Sequence, residues 1–333
     1  MRAVVLNEYG DPDVLILADV PEPAPGPEEI LIEVVTTALN RADLLQRRGL
    51  YPGPKMAHEI PGMEFSGRVV GTGGSVSAWS LGDEVMGIVG GGSYAERLVI
   101  HERQALPVPS AVPLPDAAAI PEVFLTAYDA LVVQGGLTSG RWALVHAGAS
   151  GVGTAAIQIA KAIGARIAVT ASAGKIDRCR DLGADVAIDY RSQAFVEVMA
   201  EATGGGGVDV VLDVVGGEYT VDNITTLRVG GRLIQVGVMG QQMVELPLGM
   251  LLPKRASIVG TVLRARPIEE KIALTQRFKA EMLALFEEGS GLETAPAMRP
   301  VIDSRFPLEE VAEAHRRMES NANFGKILVD VVF

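Results

Sequence analysis

The 333-residue chain has a single cysteine, Cys179, so it holds no internal disulfide and cannot build a thiolate metal cluster. Its four histidines are scattered rather than clustered. No apolar stretch reaches the roughly 20 residues of a membrane-spanning helix. The segment Met1–Glu8 becomes charged too soon for a secretory signal. A soluble cytoplasmic protein is the expectation. Net charge is -12, and Lys and Arg form no stripe or tail. Phosphate-backbone and anionic-membrane recognition need clustered cations, so neither nucleic acid nor membrane is expected as the main partner. Backbone N–H groups and one or two cations can still hold a small anionic ligand.

What is abundant is apolar residues, at 48% against 21% charged, the profile of a packed globular protein. The length suits two domains. The 38 glycines gather at the ends of apolar runs, without the period of a collagen or the composition of a linker. Up to about residue 120 the pattern is mostly β. Runs such as Arg2–Leu6, Ile30–Thr37, Phe65–Gly71 and Glu84–Val89 alternate with Pro- and Gly-rich turns, which suggests a small, partly open barrel. Pro21–Pro27 is too proline-dense for a helix or a central strand.

From about Pro121 short, wholly apolar runs alternate with helical segments. The strands are Trp142–His146, Arg166–Thr170, Val186–Asp189, Val208–Val214, Arg232–Val236 and Ser257–Val262. The helices between them are Gly153–Ile163, Ile176–Leu182, Phe195–Thr203 and Thr220–Leu227. Strands apolar on both faces belong to a parallel sheet between helices, and this alternation makes a doubly wound α/β fold. The tail reads as a helix from Ile268 through Glu288, another at Leu308–Glu319, and a last strand, Lys326–Val332.

The most informative segment is Trp142–His146, then Ala147-Gly-Ala-Ser-Gly-Val-Gly153, then an Ala-rich helix. Gly148 and Gly151 let the backbone turn tightly and approach a diphosphate, while Gly153 brings helix and sheet together. Ser150 and Val152 lie in the same turn. The helix N-terminus then supplies free N–H groups and positive potential. Glycines alone also serve packing, but a strand before and a helix after are the context that points to a dinucleotide. NAD enzymes usually place an acid about 20 residues further on, for the ribose 2′-hydroxyl. No acid occurs between Gly153 and Lys175; the strand runs into Ala171-Ser172-Ala173-Gly174-Lys175 instead. Ser172 and Lys175 suit a 2′-phosphate, so NADPH is the expected cofactor. The plain alternative is that Ser172 caps the next helix and Lys175 is a solvated charge.

Several further stretches carry a resemblance. Leu106-Pro-Val-Pro109 and the glycine turn resemble the medium-chain dehydrogenase/reductase superfamily. Within it, Asn40–Pro52, Ile60–Val70, Ala118–Ala127 and Asn323–Val329 are similar to the quinone oxidoreductases, nearest the stress-inducible kind. The resemblance implies a Rossmann domain at 123–265 and a GroES-like domain built from 1–122 with 266–333. Zinc enzymes of the superfamily use a cysteine near position 40 and a histidine before a glutamate near 64. This chain has Asn40 and Met63-Glu64, and Gly90–Arg97 lacks the structural-zinc cysteines, so metal-free chemistry is expected. His58 reads as a surface residue.

A quinone is already electrophilic, so positioning against a nicotinamide can supply much of its reduction, helped by donors aimed at the developing oxyanion. The resemblance implies that Asn40 and Tyr51 stand at the nicotinamide end as the catalytic pair, with Thr126 at its ribose and Tyr190 at the adenosine phosphate. Asp213, Val238, Met239, Leu263 and Asn323 complete the implied cofactor contacts. Tyr51 is alternatively a plain aromatic in a Tyr-Pro turn, and Asp43 an anchor or cap. Arg264 and Arg266 are either an extra anion contact or a solvated face. Met239, Met243, Met250 and Met298 show no cofactor spacing and read as core or lid packing. Two other activities stay open: an NADPH-dependent 2-alkenal or enoyl-thioester reductase, and an NADPH-binding protein of low turnover. A homodimer pairing the edge strands of two Rossmann sheets is implied, with the apolar runs Gly237–Val244 and Ser257–Val262 at that edge.

Overall fold

The computed structural model describes residues 1–55, 57–287 and 297–331. The chain divides into two units, one from 1–125 with 264–287 and 299–331, the other mainly from 126–263.

The first unit is built on a seven-stranded mixed sheet. The strand Glu29–Ala38 is its hub. It pairs antiparallel with Glu64–Thr72, with Arg97–His101 and with Lys326–Asp330. Register shifts along the Glu29–Ala38/Glu64–Thr72 pair bend the sheet, the usual effect of an extra residue on one strand. Ile302–Pro307 adds parallel to the last strand, so residues from both ends of the chain share one core around Ile30, Ile32, Phe65, Ile327 and Val329. Pro21–Pro27 forms no helix or strand. The sequence pattern gave no hint of the helix Arg41–Arg47, which starts directly after Asn40.

The second unit holds a six-stranded parallel sheet. From edge to edge its strands are Val186–Asp189, Arg166–Ala171, Trp142–Val145, Val208–Asp213, Leu227–Gln235 and Ser257–Gly260. Numbered along the chain this is the 3-2-1-4-5-6 order of a doubly wound sheet, with its switch point between Trp142–Val145 and Val208–Asp213. The helix Gly151–Ala162 packs through Ala155, Ala156, Ile157, Ile159 and Ala160, all fully buried. Alanines on that face allow a close approach that larger side chains would prevent.

Some elements differ from the sequence reading. The fifth strand begins at Leu227, earlier than expected, and passes through Gly230 at φ +78° before regular pairing resumes at Arg232. Gly237–Val244 forms no strand, so only Ser257–Gly260 occupies the sheet edge. The α-helix from Ile268 ends at Glu281 and gives way to a 3₁₀ turn, Leu283–Phe286; Glu288 lies outside the described residues. The last strand ends at Asp330, and Val332 lies outside the described residues. No helix among the described residues is long and apolar enough to cross a membrane.

Candidate active site

In the second unit the glycine turn sits at the carboxyl end of Trp142–Val145, beside the switch point, where doubly wound sheets bind ligands. A Cβ on Gly148 would lie 2.5 Å from Val169 Cβ, and one on Gly153 would lie 2.4 Å from Ala147 O. Neither glycine has a left-handed φ, so what they supply is space. Ala147 does have one, at φ 58°, a costly conformation for a residue with a Cβ. Ser150 caps the helix, its hydroxyl accepting from Gly153 N at 3.0 Å. The cap leaves the N–H groups of Gly151 and Val152, in the first turn, without an intrahelical acceptor. That cradle fits a diphosphate.

A buried polar chain supports the turn from beneath. Asp213, fully buried, accepts from Val215 N at 2.6 Å, from Gly216 N at 3.1 Å and from Asn223 Nδ2 at 3.0 Å. Asn223 Oδ1 lies 2.6 Å from His146 Nε2, and His146 Nδ1 lies 3.1 Å from Thr170 Oγ1. Because Asn223 spends its nitrogen on Asp213, its oxygen must accept, which puts the imidazole proton on Nε2. Nδ1 is then an acceptor for the Thr170 hydroxyl, whose oxygen in turn faces Ala147 N at 3.4 Å. Burial lowers the His146 pKa, against the pull of Asn223 and Asp213, so the ring stays neutral. Asp213 therefore shapes the loop Val214–Gly217 and, through His146, the glycine turn; its carboxylate is fully used inside the protein.

Further along the same sheet edge, Ser172 follows Arg166–Ala171 and its side chain caps nothing, so the plain capping role falls away. Ser172 and Lys175 are both half-buried. Tyr190 follows the neighbouring strand, its N–H bonded to Ala171 O at 3.3 Å, and its exposed ring lies under the Arg191 guanidinium at 5.7 Å. Arg191 escaped the sequence reading, which had no reason to weigh one surface arginine above another. The neighbouring acid, Asp189, is held by the Ser192 hydroxyl and by Arg191 N, and the Ser192 bond first among them depresses its pKa. Val238 and Met239 are exposed, on a loop tied to the one before it by Met239 N→Val214 O at 3.1 Å. Thr126, buried, opens this unit and Leu263, half-buried, stands at its other end.

In the first unit Asn40 stands at the head of Arg41–Arg47, almost fully buried. Its carboxamide donates to Glu64 Oε1 at 2.8 Å and accepts from Lys326 Nζ at 2.8 Å. Lys326 also lies 2.7 Å from Glu64 Oε1, and Glu64 Oε2 accepts Glu122 N at 2.8 Å. This donor set does not fit a tetrahedral zinc. An ammonium already neutralises the carboxylate, and Asn40 and Met63 offer neither thiolate nor imidazole. Nor does any group of three His, Cys, Asp or Glu among the described residues have metal-binding geometry. His58 is exposed.

Asp43 is a cap: its Oδ2 accepts Asn40 N at 2.8 Å. The same oxygen lies 3.3 Å from the Tyr94 hydroxyl, itself 3.3 Å from His315 Nε2. Burial drives the Asp43 pKa up to about 6, partly offset by the Asn40 N–H and the charge of Lys326. Tyr51 is half-buried beneath the Arg264 guanidinium, 5.0 Å from its ring centre. Arg264 is held by Gly90 O at 2.6 Å and Gln46 Oε1 at 2.7 Å, so it is a fixed cation rather than a solvated one. Asn323 donates to Gly325 O at 2.9 Å, just before Lys326.

The sequence reading thus named Asn40 but missed Glu64 and Lys326 as its partners, and named Asp213 without Asn223 or His146. Met243, read as core or lid, is 85% exposed, whereas Met298 is buried.

Comparison with known proteins agrees with these two halves. Residues 26–110 match the family described as "Alcohol dehydrogenase GroES-like domain", and residues 151–286 that described as "Zinc-binding dehydrogenase". The quinone oxidoreductase of Lama guanicoe is 32% identical, covering 99% of this chain and 97% of its own. The synaptic vesicle membrane protein VAT-1 homolog of Rattus norvegicus is also 32% identical, covering 99% of this chain and 84% of its own. A solved NAD-dependent alcohol dehydrogenase superposes with a TM-score of 0.85 at 32% identity over 100% of both chains. A GroES-like mixed sheet, a doubly wound sheet with a glycine turn beside its switch point, and full-length kinship together make this chain a member of the medium-chain dehydrogenase/reductase superfamily, an oxidoreductase of a family that uses a nicotinamide dinucleotide.

Proposed function

We propose that the chain is an NADPH:quinone oxidoreductase working without a metal, with the dinucleotide held by the second unit. The observation that carries the cofactor choice is the group at the ends of two adjacent strands. Ser172 and Lys175 follow one, Tyr190 and Arg191 the other, and the carboxylate that ends the second strand, Asp189, is already engaged. A hydroxyl and cations suit a 2′-phosphate. Gly148, Ser150, Gly151, Val152 and Gly153 form the diphosphate cradle, and Tyr190 is the adenosine-side contact. Val238 and Met239 give an apolar surface to the nicotinamide, and Asp213 acts through the loop it shapes. Thr126, Leu263 and Asn323 are the remaining proposed contacts.

Bound NADPH supplies a hydride, and a quinone that takes up this hydride and one proton becomes a hydroquinone. The protein's own part is to hold and to donate. Tyr51 has its pKa raised, by burial above all, so its phenol keeps its proton at neutral pH and can donate to a developing oxyanion. Asn40 is the second proposed catalytic side chain. The likeness to quinone oxidoreductases supports a quinone over an enal, and a cytoplasmic location goes with this reading. We also propose a homodimer through the edge strand Ser257–Gly260. Ile258 on this strand and Val262 after it are exposed, as are Met243, Leu248 and Leu252 in the segment before it, and exposed apolar side chains in number are what monomers seldom leave open.

Calorimetry with NADPH and NADH, on the native chain and on Lys175→Ala, tests the cofactor assignment. A partly exposed charged hydrogen bond is worth about 1–2 kcal/mol, so the variant should bind NADPH some 5- to 30-fold more weakly and NADH unchanged. Tighter binding of NADH by the native chain would remove the assignment. Steady-state NADPH oxidation with quinone and enal panels tests the substrate. Faster turnover of enals makes the chain an alkenal reductase, and binding without turnover on either panel makes it a cofactor-binding protein.

A further inference from the structure

We propose that Lys326, together with Glu64, is a positioning pair that locks the Asn40 carboxamide in one orientation and presents one of its N–H groups to an oxygen acceptor of the bound ligand. The proposal rests on the reading above, in which Asn40 serves the reaction.

A carboxamide can turn over, exchanging its oxygen and nitrogen at little cost, unless its neighbours distinguish the two. Here they do so completely. An ammonium can only donate, so Lys326 Nζ, 2.8 Å away, demands the oxygen. A carboxylate can only accept, so Glu64 Oε1, also 2.8 Å away, demands the nitrogen. The flipped amide would set NH₂ against the ammonium and C=O against the carboxylate. All three side chains are at least nine-tenths buried, where such mismatches are least screened.

The charges that select the orientation are themselves fixed. Lys326 directs its protons at Leu39 O, Asn40 Oδ1 and Glu64 Oε1. Glu64 is held from its other oxygen by Glu122 N, at the start of the helix Pro121–Tyr128. One Asn40 hydrogen is left over. Among the described residues it meets only Ala38 O at 3.4 Å, near the limit of a hydrogen bond. That hydrogen is the group offered to a ligand. Because the amide oxygen already accepts from an ammonium, its N–H groups are more strongly polarised than those of a free carboxamide. The acceptor that fits is a hydroxyl or carbonyl oxygen, neutral or gaining negative charge.

Stability alone gives a poor account of this pair. Buried ion pairs are often matched or bettered by apolar side chains of similar volume, so what the charges add here is direction. The pair also explains why no divalent cation fits beside Asn40, because the local charge is already supplied by a covalently tethered ammonium.

The test has one readout without turnover and one with it. In protein labelled with ¹⁵N-asparagine, the Asn40 side-chain signals, assigned by their loss in Asn40→Ala, should be two sharp, widely separated, slowly exchanging resonances. A pair with the shift separation and fast water exchange of a free carboxamide in the native protein would overturn the proposal with no need of a further variant. In Lys326→Met/Glu64→Gln the amide is free to turn about its Cβ–Cγ bond, the two signals should move to the separation and faster water exchange of a free carboxamide, and kcat should fall about 10- to 100-fold. The same pair of changes made in Asn40→Ala should lower kcat no further, whereas a merely structural role would lower it again. If Asn40→Ala itself keeps full kcat, the catalytic reading of Asn40 fails, and the pair has nothing to position. If Asn40→Ala loses activity but Lys326→Met/Glu64→Gln does not, the positioning role fails and the catalytic reading stands.

Discussion

Asn223→Leu should uncouple the glycine turn Ala147–Gly153 from the loop Val214–Gly217. The side chain it replaces is fully buried and bonds both Asp213 and His146. Leucine has nearly the same shape, so the change removes bonds rather than volume. Among the described residues, the His146 Nε2 proton loses its one acceptor, at 2.6 Å, and Asp213 Oδ2 keeps Gly216 N alone, at 3.2 Å. Two buried polar groups each lose a partner at about 1–3 kcal/mol, and the added apolar contact returns a part, so a net loss of roughly 2–4 kcal/mol is expected. For a unit of this size that is a drop of about 6–12 °C in unfolding temperature. Trp142 begins the strand leading to His146, so its fluorescence in a Trp79→Phe background reports the second unit alone. Adding His146→Leu removes the orphaned donor along with its partner. The double variant should therefore be no less stable than the single one, a coupling of at least about 1 kcal/mol. Losses that simply add, or an unchanged midpoint in Asn223→Leu, would refute the chain of bonds and the imidazole tautomer deduced from it.

Other consequences follow from single groups. Burial, with Arg47 nearby, lowers the His315 pKa from 6.5 to about 3. The unfolded chain takes up a proton below pH 6.5 that the folded chain refuses, so the stability present above 6.5 is lost as pH falls towards 3, on the order of 5 kcal/mol in all. Asp43, raised from 3.8 to about 6, acts in the opposite sense: it favours the folded state most below pH 3.8, and that contribution disappears as pH rises through 6. His315→Leu should consequently flatten the fall of unfolding temperature between pH 6.5 and 4, and parallel curves for variant and native chain would count against it. Ile258→Asp puts a charge on the exposed face of the edge strand and should turn a dimer into a monomer by light scattering. A native chain already monomeric at micromolar concentration would end the dimer proposal.

The sequence by itself determined what depends on neighbours along the chain. The glycine turn, the strand before it and the helix after it fall within about 20 residues, and each is specified by local rules of turn chemistry and periodicity. The same holds for the alternation of apolar runs and helices that dictates a parallel sheet. The absence of an acid before Lys175 could be read directly, because the position of the acid in NAD enzymes is a fixed distance from the turn.

Only the tertiary structure decided which polar groups meet. Asn40 finds Lys326 across 286 residues, and His146 finds Asn223 across 77. Nothing in periodicity, spacing or composition selects one buried polar residue as the partner of another so far away. Burial is what makes these pairings strict, because a donor or acceptor withdrawn from water must find its complement inside the fold. The capping of Asn40 by Asp43, which is local, was open to the sequence reading as one alternative. The inward-turned carboxylate of Asp213 was not: a strand end can direct its side chain to ligand or to core, and only the packing of Tyr219–Thr226 against it settles which.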